Sequence, residues 1–271
     1  MIDKKFYDLA VGDLTVANNL YGMNHFSHAI FFFQQSVEKA MKGMGLATKM
    51  VTFEQLTLPS VGHNAYRIFR FGIANMKEKA SALLEIGDAQ PNIFDGLGLP
   101  IKEVKKYHSH LLSSEGRVNG TQPVDFFELS DKDFEELIGQ FKKATSEKFE
   151  IPAQEFLPFM EKHLLRMTEN HLISEEEAAQ ALVEIGKPGI TEAFLQAFAK
   201  GVEVEVWVSA VLYPLSIITS GHESETRYPC DYCGHHPIDH YRPGLPIVNW
   251  FADLATWHSE CLVKLKPLFE N

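Results

Sequence analysis

The densest chemistry in this sequence is Cys230-Asp-Tyr-Cys233-Gly-His235-His236-Pro-Ile-Asp-His240. A Cys-x-x-Cys step followed by His235, His236 and His240 supplies enough thiolate and imidazole ligands for tetrahedral zinc. His258 and Cys261, at i and i+3 on a later helix, could complete the set. No second Cys pair or long intervening loop follows, so a zinc here is expected to be structural, clamping a proline-rich loop against the last helix. The competing reading is a His-rich loop with two free thiols. A second polar set lies near the N-terminus: Gln34, Gln35, Glu38, Lys39 and Lys42. Gln35, Glu38, Lys39 and Lys42 fall at i, i+3, i+4 and i+7 and share one helical face. Either that face is solvated and carries one Glu38–Lys42 pair, or it is a groove whose amides and ammonium groups reach a phosphate or a base.

Composition narrows the partners these residues can have. The 271 residues include 25 basic and 36 acidic side chains, a net charge of −11. A field of that sign repels polyanions, so contact with nucleic acid requires a local basic patch. Lys102, Lys105 and Lys106 beside His108 and His110 form one compact basic stretch, a candidate RNA patch whose plainer reading is a solvated helix face. Three cysteines make no disulfide framework and point to a reducing compartment. The acids near Met1 do not suit a signal peptide, and no run approaches the roughly 18–20 apolar residues of a membrane span. A cytoplasmic protein with no membrane partner is expected.

The elements that must position these groups read as helices. Phe6, Leu9, Ala10, Leu14, Ala17 and Leu20 make one stripe over residues 3–21, and Gly22 breaks it. Asn24 is placed to cap a second helix over 25–43, with Phe26, Ala29, Ile30, Phe33, Val37, Ala40 and Met41 inward. A third helix is expected from about Ser60, ending at Gly87. A short helix over 102–112 is followed by a loop over 113–123. Further helices are expected from Ser130, over 154–169, from the Ser174/Glu177 capping box to Gly186, over 191–200 and over 248–265. Val202 to Val208 alternates like a strand, but no partner strand is evident, so a buried helix with a kink near Pro214 is expected through Thr219.

These runs carry a family resemblance. Tyr7-Asp-Leu-Ala-Val-Gly-Asp-Leu-Thr-Val-Ala17 with Tyr21, then Ala29-Ile-Phe-Phe-Phe-Gln-Gln-Ser-Val-Glu-Lys-Ala-Met-Lys42, resembles the paired-helix signature of HEPN domains. Gly62-His63-Asn64 is similar to that family's His-Asp, with Asn in place of Asp. Thr226-Arg227-Tyr228-Pro229 is similar to its Arg-Tyr-Pro. The resemblance implies an all-α, antiparallel, up-and-down HEPN-like bundle formed by residues 1–87 and 205–271. Residues 88–204 are expected to be a helical insertion.

The same resemblance implies a homodimer that binds a nucleotide or RNA, paired in some branches with a minimal nucleotidyltransferase in toxin–antitoxin or regulatory systems. Gln35, Glu38, Lys39, Lys42, Arg227 and Tyr228 would line the site. Arg227 would hold a phosphate and Tyr228 would stack on a base, unless Arg227 pairs with Glu38 and only fixes the last helix. Active branches are metal-independent endoribonucleases with Arg, four to six residues, then His. Arg227 lies too far from His235 and His236 for that pattern. Arg166-Met-Thr-Glu-Asn-His171 has the spacing but sits in the unmatched insertion. Two alternatives therefore stand beside the binding protein: that endoribonuclease, through Arg166 and His171, and a structural, zinc-clamped helical adaptor.

Overall fold

The computed structural model describes residues 2–58, 61–89, 101–120, 129–146, 153–169, 171, 173–187, 189–222, 226–227 and 236–270. Among the described residues every regular element is helical, so the fold is all-α. Helices α1 (Ile2–Gly22) and α2 (Phe26–Ala47) are joined by three residues and pack along each other. The turn between them is a Schellman ending. His25 N–H bonds the Leu20 carbonyl at 2.9 Å, Asn24 N–H bonds the Tyr21 carbonyl at 3.0 Å, and Asn24 takes the left-handed position at φ 61°. Asn24 thus closes α1 instead of capping α2, whose N-cap is His25 with no side-chain bond. Asparagine tolerates that backbone region better than most residues, which explains the correction.

Helix α2 is the centre of the packing. Ala29, Ile30, Phe33, Val37, Ala40 and Met41 are fully buried, as their spacing predicts, and the smaller or polar Gln34, Ser36, Glu38, Gly43 and Gly45 are buried beside them. A Cβ on Gly43 would sit 3.1 Å from the Asp3 carbonyl, and one on Gly45 would sit 2.7 Å from Ile68 Cγ2. Both glycines let neighbouring backbone or side chain come close. Downstream lie α3 (Phe53–Leu56), which starts at a Thr52/Gln55 capping box, a 3₁₀ turn (Ala65–Arg67) and α4 (Ile68–Ala89). The third helix therefore begins after Asn64, later than expected, and runs through Gly87.

The chain divides into two compact units. The first comprises residues 1–72, 120–147 and 204–271, and the second comprises 73–119 and 148–203. The first unit takes in α6 (Asp131–Ser146), a segment the sequence reading assigns to the insertion. The reason is physical: Phe134, Ile138 and Phe141 form a buried stripe in the same core as Val211, Leu212 and Phe251. Phe141 meets Trp257 edge-on, and Trp250 Nε1 donates to Asp131 at 2.9 Å. Ser130 caps α6 by hydrogen-bonding Asp133, which holds that carboxyl below the usual range.

The second unit holds α5 (Ile101–Gly120), α7 (Ala153–Glu169) and α8 (Glu175–Ile185). Helix α5 extends through Gly116 to Gly120, where a loop is expected. It is tied to α4 by Lys77 to Glu115 at 2.8 Å and by Ser81 with His108 at 3.0 Å. These are contacts between helices, which local propensity does not register. Helix α8 opens with the predicted Ser174/Glu177 box and ends at Gly186.

Helix α9 (Ile190–Trp207) runs into a π-turn (Val208–Leu212) and then α10 (Tyr213–Thr219). Tyr213 N–H bonds the Val208 carbonyl, five residues back. This register change puts Pro214 at the start of α10, where a missing N–H costs nothing. The 30-residue run Ile190–Thr219 is long and apolar enough by composition to cross a membrane, which corrects the expectation that no segment is. In the first unit its Val204, Trp207, Val208, Val211, Leu212 and Leu215 are core residues.

The first unit ends with α11 (Pro237–His240), α12 (Pro246–Asn249), α13 (Phe251–Leu265) and a 3₁₀ turn (Lys266–Phe269). Helix α13 is pinned through Ser36. The Ser36 hydroxyl donates to the Ala10 carbonyl at 2.6 Å, so at 2.8 Å it must accept from His258 Nε2–H. His258 Nδ1 has no partner among the described residues. Burial pushes His258 and His222 down to about 3. The unfolded chain takes up these protons near pH 6.5, and the folded chain does so only near 3. Stability is therefore full above about 6.5 and falls through that window, by about 1.4 kcal/mol per pH unit for each histidine. Urea midpoints at pH 7.5 and 5 should show the fall, and His258→Gln should reduce it by about half. An unchanged fall in the variant would show that His258 is not neutral in the fold.

Candidate functional site

The polar face of α2 is occupied from within. Glu38, 5% exposed, accepts from Gln34 Nε2 at 2.9 Å and Lys42 Nζ at 2.6 Å, and lies 3.3 Å from His63 Nδ1. Gln35 donates to Gln34 at 2.7 Å, and Lys39 pairs with Asp13 of α1. The Glu38–Lys42 pair is thus real but not solvated, which corrects the exposed-face reading. Glu38 shares its oxygens among these three groups and Lys39 is turned to α1, so the set ties α2 to α1 and to the start of α4. His63, the residue matching the family's His-Asp, is the exposed end of this network.

Arg227 lies elsewhere. Its side chain is exposed, and its guanidinium carbon stands 5.3 Å from the centre of the Phe31 ring. Together they border a cleft of about 620 Å³ lined by Ser27, His28, Phe31, Phe32, Thr226, Arg227, His236, Pro237 and Ile238. Among the described residues the lining holds a guanidinium and two imidazoles and no carboxylate. Ser27 and His28 belong to the first turn of α2, the positive end of its dipole. Thr226 is buried and its hydroxyl donates to the His222 carbonyl, while His222 Nδ1 meets the Tyr241 hydroxyl. The base of the cleft is therefore fixed by the buried His222–Tyr241 pair. Such an arrangement can hold a phosphate at Arg227 and place a planar group against Phe31.

Tyr228, Cys230, Cys233 and His235 lie outside the described residues. His236 and His240 are exposed at the two ends of the short helix Pro237–His240. Among the described residues no three metal-ligating side chains come together. Among the described residues His258 and Cys261 join no third metal-ligating side chain. Both are fully buried, His258 on Ser36 and Cys261 with its thiol donating to the Trp207 carbonyl at 3.7 Å. Burial pushes the Cys261 thiol far up.

Arg166 and His171 are not successive faces of one helix. Helix α7 ends at Glu169, and His171 follows with φ 57° and its N–H on the Thr168 carbonyl. Of the basic stretch on α5, Lys102, Lys105, Lys106 and His110 are exposed while His108 turns to Ser81.

Sequence reasoning passed over His28, Phe31 and Thr226. His25, His28 and Phe31 at three-residue steps were the available signal, since that spacing gathers them near one edge of α2. No protein-family model matches this chain, and neither a curated protein nor a solved structure does.

Two outcomes test this placement. Glu38→Ala should cost about 2–3 kcal/mol, because Lys42 and Gln34 lose their shared partner in a nearly closed space. A variant of unchanged melting temperature would mean the network is not structural. Metal analysis checks the zinc expectation: a clamp gives one zinc per chain, lost in Cys230→Ser/Cys233→Ser, and free thiols give none.

Proposed function

We propose that this chain is a HEPN-like, cytoplasmic protein that binds a nucleotide or RNA through a phosphate held at Arg227. The observation that carries the reading is the cleft itself, where Arg227 over Phe31, His28 and His236 come together among the described residues. A phosphate gains charge-assisted hydrogen bonds from the guanidinium, and the adjoining aromatic wall accepts a base. The sequence resemblance supplies the ligand class and a minimal nucleotidyltransferase as the expected partner protein. Within this reading the Gln34–Glu38–Lys42 set supports α2 from behind and does not touch ligand.

A second reading, metal-independent RNA cleavage, is favoured by one observation: His28 and His236 line the same cleft as Arg227. Acid–base catalysis on a ribose 2′-hydroxyl uses such imidazoles with a cation on the phosphate.

Labelled single-stranded RNA and ATP, each titrated in chelator, test both. Wild type should bind at least one of them, and Arg227→Ala should bind at least about tenfold more weakly, a loss of about 1.4 kcal/mol. Its melting temperature should stay within about 2 °C, because the side chain is exposed. Equal affinity in the variant would refute the site. RNA cut by wild type but not by His28→Ala or His236→Ala would establish the second reading.

A further inference from the structure

Helix α2 begins without a side-chain cap. Its N-cap residue, His25, makes no such bond, and no described residue accepts from the N–H groups of Phe26, Ser27 or His28. The first turn of this 22-residue helix therefore presents three donors at the positive end of its dipole. The last carbonyls of α1, across the same turn, are engaged elsewhere. Asn19 and Leu20 accept from Met23, Leu20 also accepts from His25, and Tyr21 accepts from Asn24.

Ser27 adds an independent donor at the same place. It is only 4% exposed, yet it lines the cleft that holds Arg227. In other helices Thr15, Ser216, Thr219 and Thr256 return their hydroxyl protons to a carbonyl three or four residues back. The Ser27 hydroxyl does not. Its polar neighbour among the described residues is His28 Nδ1 at 3.4 Å, long for a hydrogen bond. A buried hydroxyl without a short bond gains from an incoming acceptor.

Helical side chains lean towards the N-terminus and cover the preceding turn, so the Phe31 ring stands beside Ser27 and His28. Arg227 lies against that ring, which brings its guanidinium to the uncapped turn. We propose that the anion in this cleft is a terminal phosphate seated on the first turn of α2, a seat that presupposes the reading of the cleft as a phosphate site. The N–H groups of Ser27 and His28 and the Ser27 hydroxyl hold it from one side, and Arg227 holds it from the other. A terminal phosphate brings about −1.5 to −2 charges and three free oxygens, enough for both sets of donors. A phosphate inside an RNA strand brings one charge and two free oxygens, which helix dipole and guanidinium favour less. The nucleoside that carries the phosphate, free or at the 5′ end of RNA, then lies along Phe32, Pro237 and Ile238.

Calorimetry in chelator separates the two sources: AMP against cyclic AMP, and a short RNA with a 5′-phosphate against the same RNA with a 5′-hydroxyl. Whichever ligand binds should lose at least about tenfold in affinity when its phosphate is a diester or is absent. His25→Asn supplies a neutral cap for the same N–H groups. It should weaken binding at least about fivefold without lowering the melting temperature. Ser27→Ala should weaken it about threefold, again with an unchanged melting temperature. In nuclear magnetic resonance spectra the amide protons of Ser27 and His28 should move downfield as the site saturates. Equal affinity for the diester forms, or binding that depends on Arg227 while these amides stay in place, would overturn the seat and leave the Arg227 cleft standing. Absence of binding to any of the four ligands would overturn both.

Discussion

Helix α2 is enclosed by its neighbours, and that single constraint orders the rest of the first unit. A helix that buries Gln34, Ser36 and Glu38 together with Ile30, Phe33 and Met41 must satisfy its polar atoms from the elements around it. Ser36 does so through the Ala10 carbonyl and His258, linking α1, α2 and α13 in one short chain of hydrogen bonds. Glu38 does so through Gln34, Lys42 and His63, joining α2 to the segment that leads into α4. Gly43 and Gly45 serve the same enclosure by leaving room for Asp3 and Ile68.

The enclosure also decides where a ligand can reach α2. Along the middle of the helix the polar groups are spent on one another, and little charge faces solvent. At its first turns the helix emerges, and there His28 and Phe31 border a cleft with Arg227 and His236. The buried Thr226–His222–Tyr241 chain holds the segment that presents Arg227. Stability and recognition are thus placed on different stretches of one helix, which is why a substitution in each can be expected to behave differently.

Much of this was legible in the sequence where the signal is local. The stripe from Ala29 to Met41, the Ser130 and Ser174 caps and the helical path through Pro214 all follow from spacing and end chemistry. The errors have a common cause in tertiary contact. Asn24 answers to the left-handed turn between α1 and α2, a role that residue type alone does not separate from capping. Residues 113–120 stay helical in a unit where Glu115 is bound to Lys77. Residues 131–146 belong with the first unit because Phe134, Ile138 and Phe141 find its core. The site divides in the same way. Arg227 could be singled out by motif, but His28 needed the fold to bring it to the same cleft, and the fate of Glu38 depended on how deeply α2 is buried.

The most direct test follows the imidazole signals of the histidines by nuclear magnetic resonance while nucleotide or single-stranded RNA is added. His28 and His236 report on the cleft, and His63 reports on the Glu38 network. The account predicts that His28 and His236 move with saturable binding while His63 stays in place. Movement of His63 with His28 and His236 unchanged would contradict it, and would return the ligand to the polar face of α2.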